Sequence, residues 1–260
     1  MSQINNIFIP KSNKVGLNEK YPYLTLFNTF LGLETISPLS LQIAPAAVWV
    51  GLIICIAWVV YRFTDSETEI IRKIVHIGMG NVILIAWWLD IPAYVGITAS
   101  VLASIITLLS YKFPIFPGIN SVGRHSLGTF FYAVSIGVLV GIFWHLHQPE
   151  YAVLGIMIMA WGDGLAALIG KRFGKHQYIF FGSQKSWEGS LTVTLISYLI
   201  CVTILLVTQG NIWQTWIVSL IVALVATILE AFSFWGIDNL TVPVGSATCG
   251  YLLVQILFNY

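Results

Sequence analysis

Long apolar runs separated by brief polar breaks set the pattern of this chain. Eight runs approach the roughly 20 residues that a helix needs to cross a hydrocarbon core about 30 Å thick. They cover about 44–61, 74–90, 92–110, 127–144, 151–170, 190–208, 212–231 and 242–258. The last is short, so seven spans are the lower reading. The breaks at Asp90-Ile91-Pro92, His145 to Glu150 and Gln209-Gly210-Asn211 leave almost no loop. The runs are apolar all round instead of alternating, which argues for helices and against a β-barrel. The expected fold is an all-α, polytopic membrane protein.

Composition supports this. The 260 residues are 57% hydrophobic and only 9% charged. Soluble domains are about 45–50% apolar and about 25% charged. That balance excludes a soluble globular enzyme and a disordered chain, and a net charge of +1 offers no basic field for nucleic acid. Cys55, Cys201 and Cys249 all lie in apolar runs, so no disulfide framework is expected.

The charges then fix an orientation. Arg62, Arg72 and Lys73 follow the first span, Lys112 and Arg124 the third, and Lys171, Arg172, Lys175 and Lys185 the fifth. The turns after the second, fourth and sixth spans carry no Lys or Arg. All nine basic residues beyond position 60 therefore fall on one face, predicted to be cytoplasmic or its organellar equivalent. Residues 1–43 form an N-terminal extension to a transmembrane domain over 44–260. The apolar stretch from Tyr21 to Leu33 is too short to span and reads as an interfacial helix. The start carries no signal-peptide or Arg/Ser-rich transit pattern. Gly137 and Gly141 make a GxxxG pair, read as a packing face.

A few polar groups are not explained by the loops. Asp163 lies inside the fifth run between Gly162 and Gly164. A carboxylate at that depth costs several kcal/mol and marks a functional site, unless a neighbouring helix supplies a structural ion pair. Glu230 closes the seventh run, and Asp238-Asn239 follows Gly236. Oxygen side chains near one membrane face suit magnesium, which takes one or two carboxylates and keeps water or phosphate besides. Spacing equally allows Glu230 to reach the surface and Asp238 to cap a turn. Arg72, Lys73 and His76 sit at i, i+3 and i, i+4 spacing and can share one helix face. Ordinary anchoring by basic residues explains them as well. The segment from Gly170 to Gly189 reads as a glycine-rich basic loop before a helix starting near Gly189-Ser190. The free N–H groups of that start could receive a phosphate. It is not a Walker A loop, because Gly170 to Gly174 is one residue short and no Ser or Thr follows Lys175. His145-Leu146-His147 reads as loop. Charges gathered at one face, without internal repeats, fit a magnesium-bound phosphorylated ligand better than a transporter.

RKIVHIGMGN (72–81), WGDGLAALIGKRFGK (161–175), GSQKSWEGS (182–190) and GIDNLTVPVGS (236–246) resemble the motifs of the polyprenol kinase family. Its members include phytol, farnesol and dolichol kinases, and RKIVHIG and DNLTVP look most like the phytol kinases of cyanobacteria and plastids. The resemblance covers about 62–260. It implies transfer of the γ-phosphate of CTP, or of another nucleotide such as UTP, to a long-chain isoprenoid alcohol, phytol first, for tocopherol synthesis or phytol salvage. Farnesol and dolichol are the other alcohols. The C-terminal signature of the related phosphatidate cytidylyltransferases is missing. The implied roles are Asp163 on magnesium or the attacking hydroxyl, and Lys171, Lys175 and Lys185 on the phosphates. Arg72, Lys73, His76 and Arg124 are further phosphate-binding candidates. Glu188, Glu230 and Asp238 would complete the metal site or take the proton, with Asn239 as a further metal ligand. The implied location is a cyanobacterial or plastid membrane, with the active site on its cytoplasmic or stromal face.

Overall fold

A computed structural model describes residues 39–64, 68–112, 126–180 and 183–258. The expected interfacial helix at Tyr21 to Leu33 and Arg124 lie outside the described residues. Among the described residues eight helical spans are long and apolar enough to cross a membrane, and the protein is a multi-pass membrane protein. The helices are α1 (Leu39–Phe63), α2 (Thr68–Gly80), α3 (Val82–Trp88), α4 (Ala93–Lys112), α5 (Gly128–His145), α6 (Pro149–Met157), α7 (Gly164–Phe173), α8 (Trp187–Gln209), α9 (Trp213–Ala231) and α10 (Asp238–Leu257). A π-helical turn, Ile158–Asp163, joins α6 to α7. Two of the eight spans are therefore broken: α2 with α3, and α6 with the π-turn and α7.

The span from Pro149 to Phe173 is the centre of the bundle. Two thirds of its apolar window (67%) is buried, against 6% for α1 and 11% for α4. Leu154, Ile156, Ile158 and Ala160 are sealed from the surface. Around it pack α5, α10, α8, α3 and α2, while α4 lies on α5 and α1 on α2 and α3. Small residues set these approaches. A Cβ at Gly155 would meet the Pro243 carbonyl, and one at Gly80 would meet the Ala160 Cβ. Gly137 faces Ser100, whose hydroxyl donates to the Ala133 carbonyl at 2.8 Å, so the glycine pair of α5 packs against α4. The three cysteines are free.

Span boundaries differ from the sequence reading at two informative places. The helix expected near 189–190 begins at Trp187, because the Ser186 hydroxyl accepts from the Gly189 N–H at 3.1 Å and caps it. The preceding segment is more than a loop: β1 (Gln177–Phe180) pairs antiparallel with β2 (Ser183–Ser186), with Gln177 opposite Ser186. The last span is not short. It starts at Asp238 and runs for 20 residues, taking Asn239 and Pro243 into its first turns.

Because successive spans reverse direction, the start of α2, the end of α7, the hairpin and the α9–α10 corner share one end of the bundle. At that corner Trp235 and Gly236 have φ of 52° and 84°. Gly236 also abuts the Gly128 backbone, so no side chain fits there. The Leu127 N–H donates to the Trp235 carbonyl at 3.0 Å, tying the corner to the start of α5.

Candidate active site

The site begins with the way α2 meets the π-turn. Gly80 lets α2 sit on Ala160, and Ile77 lies over Gly164. A π-turn shifts its residues around the helix axis and often marks a functional site. Asp163 is the last residue of this one. The Lys73 ammonium consequently lies 2.6 Å from Asp163 Oδ2 and 3.3 Å from the Asp163 carbonyl. His76, one turn further along α2, brings Nε2 to 3.4 Å from the same Oδ2 and 3.3 Å from the Met159 carbonyl. The Tyr132 hydroxyl on α5 donates to the His76 carbonyl at 2.8 Å, and the two rings are 4.6 Å apart.

Two tryptophans hold the break between α2 and α3. Trp161 Nε1 in the π-turn donates to Asn81 Oδ1 at 2.9 Å, and Trp49 Nε1 on α1 donates to the Gly78 carbonyl at 2.8 Å. Both bonds hold α2 in the register that puts Lys73 on Asp163.

A second ion pair faces this end. Lys185 on β2 contacts the Glu230 carboxylate, and its ammonium donates to the Glu230 carbonyl at 3.1 Å. The hairpin is docked on this corner by two more contacts. Ser183 donates to the Ser233 carbonyl, and the rings of Phe180 and Phe232 are 4.9 Å apart. Burial opposes the charge on Lys185, but Glu230 beside it outweighs that and holds the ammonium above the ordinary lysine value.

Asp238, the first residue of α10, is a buried carboxylate. Its Oδ1 accepts from the Asn239 amide at 3.3 Å, and it has no ion-pair partner among the described residues. It lies within electrostatic reach of Asp163, Lys185, Lys73 and Glu230. Arg72 reaches Asp163 and Asp238 electrostatically, but its guanidinium is held by Glu69 at 2.6 and 3.1 Å. Glu69 was not singled out from the sequence, although its i, i+3 spacing to Arg72 was the available signal. Nothing in the sequence pointed to Tyr132 or Trp49.

The other expected residues sit apart from this cluster. Glu188 closes the base of the hairpin, accepting from the Lys175 and His176 N–H groups at 3.1 and 3.3 Å and contacting His176 Nδ1 at 2.9 Å. Lys171, Arg172 and Lys175 are exposed at the end of α7 and on the segment after it. The Gly189 N–H, expected to be open to phosphate, is taken by Ser186. Among the described residues no three His, Cys, Asp or Glu side chains are grouped to hold a metal ion by themselves.

Comparison with known proteins decides the family. The chain is 51% identical over 221 residues to a phytol kinase of Synechocystis, covering 84% of this chain and 95% of that one. The chain belongs to the polyprenol kinase family. More distant members of the family share about a quarter of their residues with it. They include phytol kinase 1 of Arabidopsis thaliana, 26% identical over 72% of this chain and 67% of its own. The farnesol kinase of the same plant is 26% identical over 72% of this chain and 66% of its own. No family model and no solved structure matches the chain.

Proposed function

We propose that this protein transfers the γ-phosphate of CTP to the hydroxyl of phytol, giving phytyl phosphate and CDP. The observation that carries this reading is the end of the bundle where Lys73 on Asp163 and Lys185 on Glu230 lie within electrostatic reach of the Asp238 carboxylate, which has no ion-pair partner among the described residues. The relative at 51% identity is named a phytol kinase, which supports phytol as the alcohol. The phytyl chain stays in the bilayer and presents its hydroxyl to the charged end, while the nucleotide comes from water.

Phosphoryl transfer has a loose, highly charged transition state, so positioning and electrostatics do most of the catalysis. The alcohol oxygen bonds to the γ-phosphorus, the bond to the bridging oxygen breaks, and CDP leaves with that oxygen. The hydroxyl proton passes to a base at this end of the bundle, and Asp163 holds Lys73 in place there. The buried Lys73 and the half-buried Lys185 steady the phosphates, and Arg72 supports them once drawn from Glu69. Lys171 and Lys175 attract the nucleotide from the water side, as a cationic rim raises local anion concentration.

Magnesium fits the donors at the α10 start. Asp238 is a buried carboxylate with no cation on it among the described residues, and Pro243 has no N–H to donate to the Asn239 carbonyl four residues earlier. Asp238 and Asn239 would hold the ion, because Asp163 and Glu230 are already occupied by lysines. When bound, it would neutralise charge that builds on the phosphates. The basic face would be cytoplasmic or stromal in a cyanobacterial or plastid membrane.

The test gives purified protein phytol and CTP labelled at the γ- or the α-phosphate. Label in lipid from γ alone is expected. Label from α alone overturns the kinase reading in favour of nucleotidyl transfer. Farnesol is the competing acceptor, because the farnesol kinase relative covers a similar share of the chain. A higher kcat/KM for farnesol than for phytol would reassign the substrate.

A further inference from the structure

We infer that His76 is the residue that receives the alcohol hydroxyl, through its Nδ1. This rests on the alcohol kinase reading and names the contact that reading leaves open. His76 Nε2 faces two oxygens, Met159 O at 3.3 Å and Asp163 Oδ2 at 3.4 Å. Both are acceptors, so Nε2 is the nitrogen that carries hydrogen, a tautomer assigned here from its partners. The Asp163 charge is already matched by Lys73 at 2.6 Å, so the ring completes the site as a neutral imidazole. Its Nδ1 is then an acceptor, and no described residue donates to it.

Position along α2 gives this acceptor its ligand. From the helix start at Thr68, Lys73 is five residues in and His76 eight, about 7 and 12 Å at 1.5 Å per residue. Arg72 and Lys73 therefore lie nearer the water, where a nucleotide approaches. His76 is the deepest member of the set, nearest to an alcohol arriving from the bilayer. The ring is fixed for this task. Tyr132 holds its backbone carbonyl and lies against the ring, and the Cδ2 edge faces Gly164. An alcohol O–H donated to Nδ1 leaves the oxygen lone pairs free to meet the phosphate, on the ring edge opposite the one that faces Asp163.

Two substitutions separate the two nitrogens. His76→Gln can keep a donor where Nε2 stands and loses the acceptor at Nδ1. His76→Asn can keep an acceptor near Nδ1 and loses the Nε2 donor. His76→Gln is expected to raise the KM for phytol at least tenfold while the KM for CTP stays within twofold. His76→Asn should keep the phytol KM closer to wild type. A raised CTP KM with unchanged phytol KM in His76→Gln would overturn the inference in favour of a phosphate-binding role. A second arm does not need turnover. Thermal stabilisation of the detergent-purified protein by phytol is compared with that by phytane, which lacks the hydroxyl. Wild type is expected to favour phytol and His76→Gln to lose the preference. Retained preference in His76→Gln, or none in wild type, would overturn the inference. A wild type that favours phytol without phosphorylating it would sink the kinase reading and leave the hydroxyl contact standing.

Discussion

Lys73 and Asp163 are 90 positions apart in sequence and 2.6 Å apart in the fold, with the ammonium almost fully buried. Breaking one side of such a pair leaves an uncompensated charge where water cannot reach it. That typically costs about 3–5 kcal/mol.

Asp163→Asn should therefore lower turnover at least a hundredfold and also lower the melting temperature in detergent. The double variant Lys73→Met/Asp163→Leu should regain most of the stability and none of the activity. Activity in the double variant would reduce the pair to a structural role.

Lys185 carries a pH signature. Its folded value is raised by Glu230, so the stability it contributes is fully present below the unfolded lysine value near 10.4 and is lost as pH rises through the higher folded value. Wild type should therefore hold its melting temperature through neutral pH and lose it in the strongly alkaline range. Lys185→Met should lose less stability over that alkaline range. Identical alkaline curves for the two proteins would refute the coupling.

The bond from Trp161 to Asn81 holds α2 in register across its break. A neutral hydrogen bond contributes about 1 kcal/mol net. Trp161→Phe and Asn81→Ala should each destabilise, and the double variant should cost less than their sum by about that amount. Strict additivity of thermal shifts would show that the bond contributes nothing.

Gly80 and Gly51 make a matched pair. A Cβ at Gly80 runs into Ala160, while one at Gly51 has nothing within 4 Å. Gly80→Ala should cost about 1–3 kcal/mol through overpacking and should reduce activity by lifting Lys73 from Asp163. Gly51→Ala should leave both unchanged. Equal activity in the two variants would disconnect the α2 contact from the site.

The sequence by itself determined the eight spans, their alternation and the end that carries the basic residues. Apolar run length and Lys/Arg placement are one-dimensional signals, because the bilayer imposes the same requirement on every crossing. Asp163, Glu230 and Asp238 were legible for a related reason: a carboxylate stands out where almost nothing else is charged. Only the tertiary structure decided which charges meet. It paired Lys73 with Asp163 and Lys185 with Glu230, tied Arg72 to Glu69, and gave Asp238 no ion-pair partner among the described residues. It also moved Glu188 to the hairpin base and brought in Tyr132 from α5. Those outcomes depend on the π-turn, on glycine contacts between helices and on the hairpin folding onto the α9–α10 corner. Each joins residues far apart in the chain, and no local pattern encodes the meeting.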